Sequence, residues 1–141
     1  MQTHSLIILA SGSGSNAASL IDYFSNHQKI QVCGLWTNNP KAGVLQRNLA
    51  VKAKLFSQGD DNLIATWKAS GASTLVLAGY LKAIPVAWID AFEGSVYNIH
   101  PALLPAFGGK GMYGIHAHRA VIASGDTTSG LSIHKVTEVY D

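Results

Sequence analysis

Leu6-Ile7-Ile8-Leu9-Ala10-Ser11-Gly12-Ser13-Gly14-Ser15-Asn16-Ala17 decides the fold. The five apolar residues at its start are too short a run for a helix and read as a strand buried on both faces. Glycine and serine follow at once, and a helical pattern runs from Asn16 to His27, with Leu20, Ile21 and Phe24 at helical spacing. A strand, a glycine loop and a helix in that order begin a βαβ unit.

The same alternation continues outward from this junction. Residues 30–36 read as a second strand, closed by the turn chemistry of Thr37-Asn38-Asn39-Pro40. Residues 42–50 read as helical and 54–57 as a short third strand. Residues 61–70 form the next predicted helix, with Asp60 or Asp61 as its cap. Thr74-Leu75-Val76-Leu77-Ala78 is the most apolar strand, and Pro85 is expected just inside a short helix reaching about Phe92. A strand over 95–99, a helix over 115–124 closed by Gly125, and a strand over 131–136 complete the pattern. Apolar strands alternating with helices imply an α/β fold: an open, mainly parallel, Rossmann-like sheet with helices on both faces. No internal repeat or linker divides the chain, so residues 1–141 are expected to form one domain.

Composition narrows the function classes. The chain of 141 residues is 48% hydrophobic and 13% charged, which excludes a disordered chain. A net charge of +2 without a block of Lys or Arg gives no argument for nucleic acid. No apolar run approaches the roughly 20 residues of a membrane span, so no membrane partner is expected. Cys33 is the single cysteine, which forbids an intrachain disulfide and points to a reducing, cytoplasmic compartment. His116 and His118 are two residues apart on a predicted helix and do not share a face, so no metal is expected.

Three places carry candidate chemistry. The loop Gly12, Ser13, Gly14, Ser15 and Asn16 lets backbone approach an anion and ends at a helix N-terminus. It fits G-x-G-x-x-A formally, but the end of the second strand offers Asn38 and Asn39 instead of the carboxylate that a dinucleotide ribose needs. A phosphate monoester is therefore the expected ligand; a tight turn that binds nothing is the alternative. Second, Asn98-Ile99-His100-Pro101 delivers an amide and an imidazole, two residues apart, at a strand's carboxyl end. Residues i and i+2 face the same way, which suits stabilisation of charge growing on a carbonyl oxygen. Third, Leu77-Ala78-Gly79-Tyr80-Leu81 ends another strand at that edge, where its apolar residues either line a flat ligand pocket or belong to the core. His134, inside a strand, reads equally as a core histidine. The glycine-rich stretch 105–114 reads as a long functional loop.

Taken together, Ser11-Gly12-Ser13-Gly14-Ser15-Asn16, Leu77-Ala78-Gly79-Tyr80, Asn98-Ile99-His100-Pro101-Ala102-Leu103-Leu104-Pro105 and Ser132-Ile133-His134 resemble the phosphoribosylglycinamide formyltransferases. These are folate-dependent enzymes of purine synthesis in the formyltransferase superfamily. The motifs occur in that family's order over nearly the whole chain. The resemblance implies a catalytic trio of Asn98, His100 and Asp141, and a phosphate loop for glycinamide ribonucleotide that includes Gly14, Ser15 and Asn16. It also implies a folate-lining segment of Leu81, Lys82, Ala83 and Ile84, with Asn98 beside it, and a supporting role for His134. The implied co-substrate is 10-formyltetrahydrofolate, with no metal. The substrate amine would attack the formyl carbon, His100 and Asn98 would stabilise the oxyanion, and Asp141 would hold His100 charged and help move a proton.

Residues 107–113 are longer and richer in glycine than the family's usual loop, and a lid is expected there. The family continues with a glycine-glycine-proline turn, a strand and a long helix, so the chain reads as C-terminally truncated. Methionyl-tRNA formyltransferase and formyltetrahydrofolate hydrolase share the Asn-x-His-Pro motif, but the extra domains they imply do not occur in these 141 residues. A non-catalytic phosphate-binding module is the alternative from another class.

Overall fold

His4–Leu9, the first strand (β1), lies in the middle of the sheet because both of its faces are apolar: Ile7, Ile8 and Leu9 are all buried. The computed structural model describes residues 3–100, 119–120, 122–124 and 132–137. Within them, β1 is followed by α1 (Ser15–Phe24), β2 (Ile30–Thr37), a 3-10 turn (Gly43–Gln46), β3 (Ala53–Leu55) and α2 (Leu63–Ala69). Next come β4 (Thr74–Leu77), α3 (Val86–Ala91), β5 (Val96–His100) and β6 (Ser132–Lys135).

The sheet order is β3-β2-β1-β4-β5-β6. Its pairs are parallel except the last, in which β6 runs antiparallel to β5. One register shift falls between Leu6 and Ile7, where Cys33 of β2 is the extra residue and its thiol lies 3.4 Å from the Leu6 carbonyl.

Alternation along the strands divides the core into two layers. On one face Ile7, Leu9, Leu75, Leu77 and Val96 pack against α2 and α3 through Leu63, Trp67 and Trp88. This layer is rich in rings: Trp67 meets Trp88 edge-on with centroids 5.0 Å apart, and Phe56 stacks on Tyr80. On the other face Ile8, Ala10, Leu35 and Ala78 pack against Ala17 and Ile21 of α1 and against Val44. The sheet is thus covered on both sides, as the alternating pattern implies.

Some predicted boundaries move. Residues 42–50 are not an α-helix: only the 3-10 turn forms, because the Val44 N–H donates to the Gly12 carbonyl instead of extending a helical ladder. The helix expected over 16–27 ends at Phe24. His27 Nδ1 then accepts the N–H groups of Lys29 and Ile30, each at 3.0 Å, and turns the chain into β2. Asp60 does not cap α2 directly. Its carboxylate accepts the Asn62 N–H at 2.9 Å, and Asn62 holds the cap position. Pro85, at φ −63° and ψ 144°, stands immediately before α3 instead of inside it. Residues 119–120 and 122–124 are helical, in line with the 115–124 prediction. The 105–114 loop and Gly125 lie outside the described residues.

Candidate active site

The strand order reverses between β1 and β4, the place where open sheets of this kind bind ligands beyond the carboxyl ends of their strands. Ser11 ties this place together. Its N–H donates to the Gly79 carbonyl at 3.0 Å. Its hydroxyl donates to Asn38 Oδ1 at 2.7 Å and accepts the Leu81 N–H at 3.0 Å. Its carbonyl accepts Asn39 Nδ2 at 3.1 Å. One buried serine therefore joins the loops after β1, β2 and β4.

The following residues form the expected anion loop. The Gly12 carbonyl takes the Val44 N–H at 3.0 Å, and the Ser13 carbonyl takes Arg47 Nε at 2.6 Å. Gly14 is the N-cap of α1 at φ 77°, a left-handed conformation that favours glycine. A Cβ there would also come within 2.7 Å of Val44 Cβ, so neither space nor backbone admits a side chain. No side chain caps α1, and no acidic residue sits in its first turn. The helix thus presents open N–H groups and the positive end of its dipole.

Asn38 and Asn39 stand where a dinucleotide site would carry its ribose-binding carboxylate. Both amides are committed to Ser11. This arrangement fits a phosphate loop, and neither position carries the carboxylate that a dinucleotide ribose needs.

On β5, which pairs with β4, Asn98 and His100 share the face that begins with Val96. His100 is the last residue of the strand and is 3% exposed, while Asn98 is half-buried. The antiparallel pairing sets His134 opposite Asn98 and Ser132 opposite His100. Asn98 Nδ2 and His134 Nε2 are 3.1 Å apart. His134 is therefore a partner of Asn98 rather than a core histidine, and its neighbours Ile133 and Lys135 are exposed.

The segment after β4 is largely open. Leu81, Lys82 and Ala83 are exposed, whereas Ile84 packs against the ring-rich layer. Gln58 holds this segment from the loop after β3. Its Oε1 accepts the Tyr80 hydroxyl, and its Nε2 donates to the Ala83 carbonyl at 3.1 Å. Burial pushes the Tyr80 phenol up to about 12, so it stays a donor at neutral pH. An open cleft of about 330 Å³ runs beside it, lined by Asn38, Pro40, Leu55, Phe56, Ser57, Gln58 and Lys82.

The structure thus brings the anion loop, the 81–84 segment, Asn98, His100 and His134 to the carboxyl edge of one sheet. Asp141, Pro101, His116 and His118 lie outside the described residues. The sequence pattern assigns no role to Ser11, Val44, Arg47 or Gln58. Each acts through a contact distant in sequence, and only the serine in the glycine loop carries a local signal.

A profile of the formyl transferase family matches residues 4–141. The chain belongs to the formyl transferase family. It is 44% identical over 149 residues to the chloroplastic phosphoribosylglycinamide formyltransferase of Vigna unguiculata, an alignment covering 96% of this chain and 47% of that protein. It is 31% identical over 147 residues to the phosphoribosylglycinamide formyltransferase of Escherichia coli (strain K12), covering 96% and 67%. Among solved structures, the phosphoribosylglycinamide formyltransferase of Brucella melitensis superposes with a TM-score of 0.84 at 26% identity, covering 97% of this chain and 74% of that one. Glycinamide ribonucleotide transformylase 1 of Geobacillus kaustophilus gives 0.83 at 30% identity, covering 99% and 78%. The chain spans about half the length of the plant formyltransferases it matches. Among the described residues of this formyl transferase, no helix is long and apolar enough to cross a membrane.

Proposed function

We propose that this formyl transferase chain carries the active-site half of a phosphoribosylglycinamide formyltransferase, moving a formyl group from 10-formyltetrahydrofolate to the amine of glycinamide ribonucleotide. The observation that carries the reading is the juxtaposition of Asn98, His100 and His134 with the Ser11–Asn16 loop at one sheet edge. The names of the relatives support it. On this reading Gly12, Ser13, Gly14, Ser15 and Asn16 hold the ribonucleotide phosphate. Leu81, Lys82, Ala83, Ile84 and Asn98 line the folate side. Asn98 and protonated His100 donate to the oxyanion as the amine adds to the formyl carbon. Asp141 keeps His100 charged and takes part in moving the amine proton, and His134 holds the Asn98 amide.

We read the 141 residues as one formyl transferase domain. The proposed partners are small molecules, the ribonucleotide and the formylfolate. The single cysteine favours a reducing compartment, cytoplasmic by this reading, although the plant relatives are named as chloroplastic.

Incubation with 10-formyltetrahydrofolate and glycinamide ribonucleotide, followed by mass spectrometry, tests the proposal. Formylated ribonucleotide is the expected product. Binding of the ribonucleotide without turnover, in this chain and in a longer one, would favour the non-catalytic phosphate-binding module instead.

A further inference from the structure

Three consecutive carbonyls of the loop after β1 each take a donor from the connection between β2 and β3. Asn39 Nδ2 serves Ser11, the Val44 N–H serves Gly12, and Arg47 Nε serves Ser13. In a trans peptide the carbonyl of one residue and the N–H of the next point in opposite directions. Fixing the carbonyls of residues 11, 12 and 13 therefore aims the N–H groups of Gly12, Ser13 and Gly14 the other way. None of those three amides has a partner among the described residues. The open first turn of α1 continues the row.

Of the three anchoring donors, only Arg47 is charged, and its contact is the shortest at 2.6 Å. Residues 11–18 contain no Lys or Arg of their own. Nε uses one of five guanidinium N–H donors. The other four have no partner among the described residues, and the side chain is exposed.

We propose that Arg47 sets this loop's preference for a phosphate dianion. It is a positioning residue that aims the Gly14 N–H through the Ser13 carbonyl, and it supplies the positive charge that the loop lacks. This deepens the reading of residues 12–16 as a phosphate loop and rests on it. Arginine suits the task because its planar, delocalised charge stays protonated and a fixed Nε fixes the plane of the other donors.

Calorimetric titration of wild type, Arg47→Ala and Arg47→Lys with ribose 5-phosphate and with glycinamide ribonucleotide tests it, across the phosphate's second ionisation near about pH 6. Arg47→Ala is expected to bind ribose 5-phosphate roughly ten- to a hundredfold more weakly, the effect of losing a charged hydrogen bond. It is also expected to lose most of the rise in affinity as the dianion forms. Arg47→Lys keeps that rise, which a purely structural role would not distinguish, but regains only part of the affinity. Should Arg47→Ala melt early, Arg47→Lys carries the comparison through its affinity. Unchanged affinity in both variants overturns the proposal. Wild type that binds neither ligand overturns it together with the phosphate loop. Wild type that binds ribose 5-phosphate and the ribonucleotide equally well speaks against the formyltransferase reading and leaves the role of Arg47 intact.

Discussion

Asn98 and His134 face each other across the β5–β6 pair with Nδ2 3.1 Å from Nε2, and the backbone decides how they bond. His134 Nδ1 lies 3.2 Å from the Lys135 carbonyl, which can only accept. A neutral ring with this contact carries its proton on Nδ1, so that Nε2 accepts and the Asn98 Nδ2 donates. The direction of the Asn98 side chain is set by a histidine from the neighbouring strand. Replacing His134 by Phe is expected to lower turnover about tenfold, less than the roughly 10²–10³ of losing a direct oxyanion donor. Nitrogen NMR shifts of the ring check the tautomer, and steady-state rates check the cost.

His100 is buried at the end of β5, where it serves the oxyanion on the proposed reading. His100→Ala is expected to lose at least about two orders of magnitude in turnover while keeping its circular dichroism spectrum. Near-normal turnover would remove His100 from the mechanism.

Ser11→Ala removes the acceptor of the Leu81 N–H and the donor to Asn38 Oδ1 in a buried place. A stability loss of about 2 kcal/mol is expected, since unsatisfied buried groups cost about 1–3 kcal/mol each. A denaturation midpoint measures it. Amide exchange at Leu81 should quicken in the variant, and a midpoint equal to wild type would mean that water replaces the hydroxyl.

Gly14→Ala forces a Cβ against Val44 and places alanine at φ 77°. The two costs separate in a double-mutant cycle. Val44→Gly, which removes both the Cγ2 and the Cβ that a residue 14 side chain would strike, should relieve the clash in Gly14→Ala but leave the left-handed backbone penalty of about 1–2 kcal/mol. Additive effects of the two substitutions would show that the loop yields without touching residue 44.

Tyr80 gives a pH signature. Its phenol titrates near 12 in the folded chain and near 10 when unfolded, so between these values the unfolded chain holds fewer protons. Stability linked to Tyr80 is thus fully present below about pH 10 and declines as pH rises towards 12. Tyr80→Phe should show a flatter decline over that window in thermal melts, and the tyrosinate absorbance it removes should be the late-titrating part.

Much of this was legible in the chain itself. Apolar runs such as 6–10 and 74–78 mark strands because a doubly covered sheet demands continuous hydrophobicity, and the glycine loop and Asn98-Ile99-His100 fall at strand ends as their neighbours imply. Residues 42–50 misled because Ala42, Val44, Leu45 and Leu49 have a helix-like spacing. In the fold Ala42 and Val44 are buried in the α1-side core and Leu49 packs against it, and the Val44 amide is drawn off to Gly12. The roles of Ser11, Arg47 and Gln58 were invisible for a related reason. Each is a polar contact between segments 25 to 70 residues apart, and such contacts leave no periodicity behind.

The Ser11 junction also bears on synthesis. The loop after β1 emerges from the ribosome early, yet its amide waits for Gly79 and its hydroxyl for Leu81. A nascent chain that has not yet released β4 holds an anion loop anchored from one side only, by residues 39–47. The loop therefore has its full set of anchors only once the fourth strand lies beside the first.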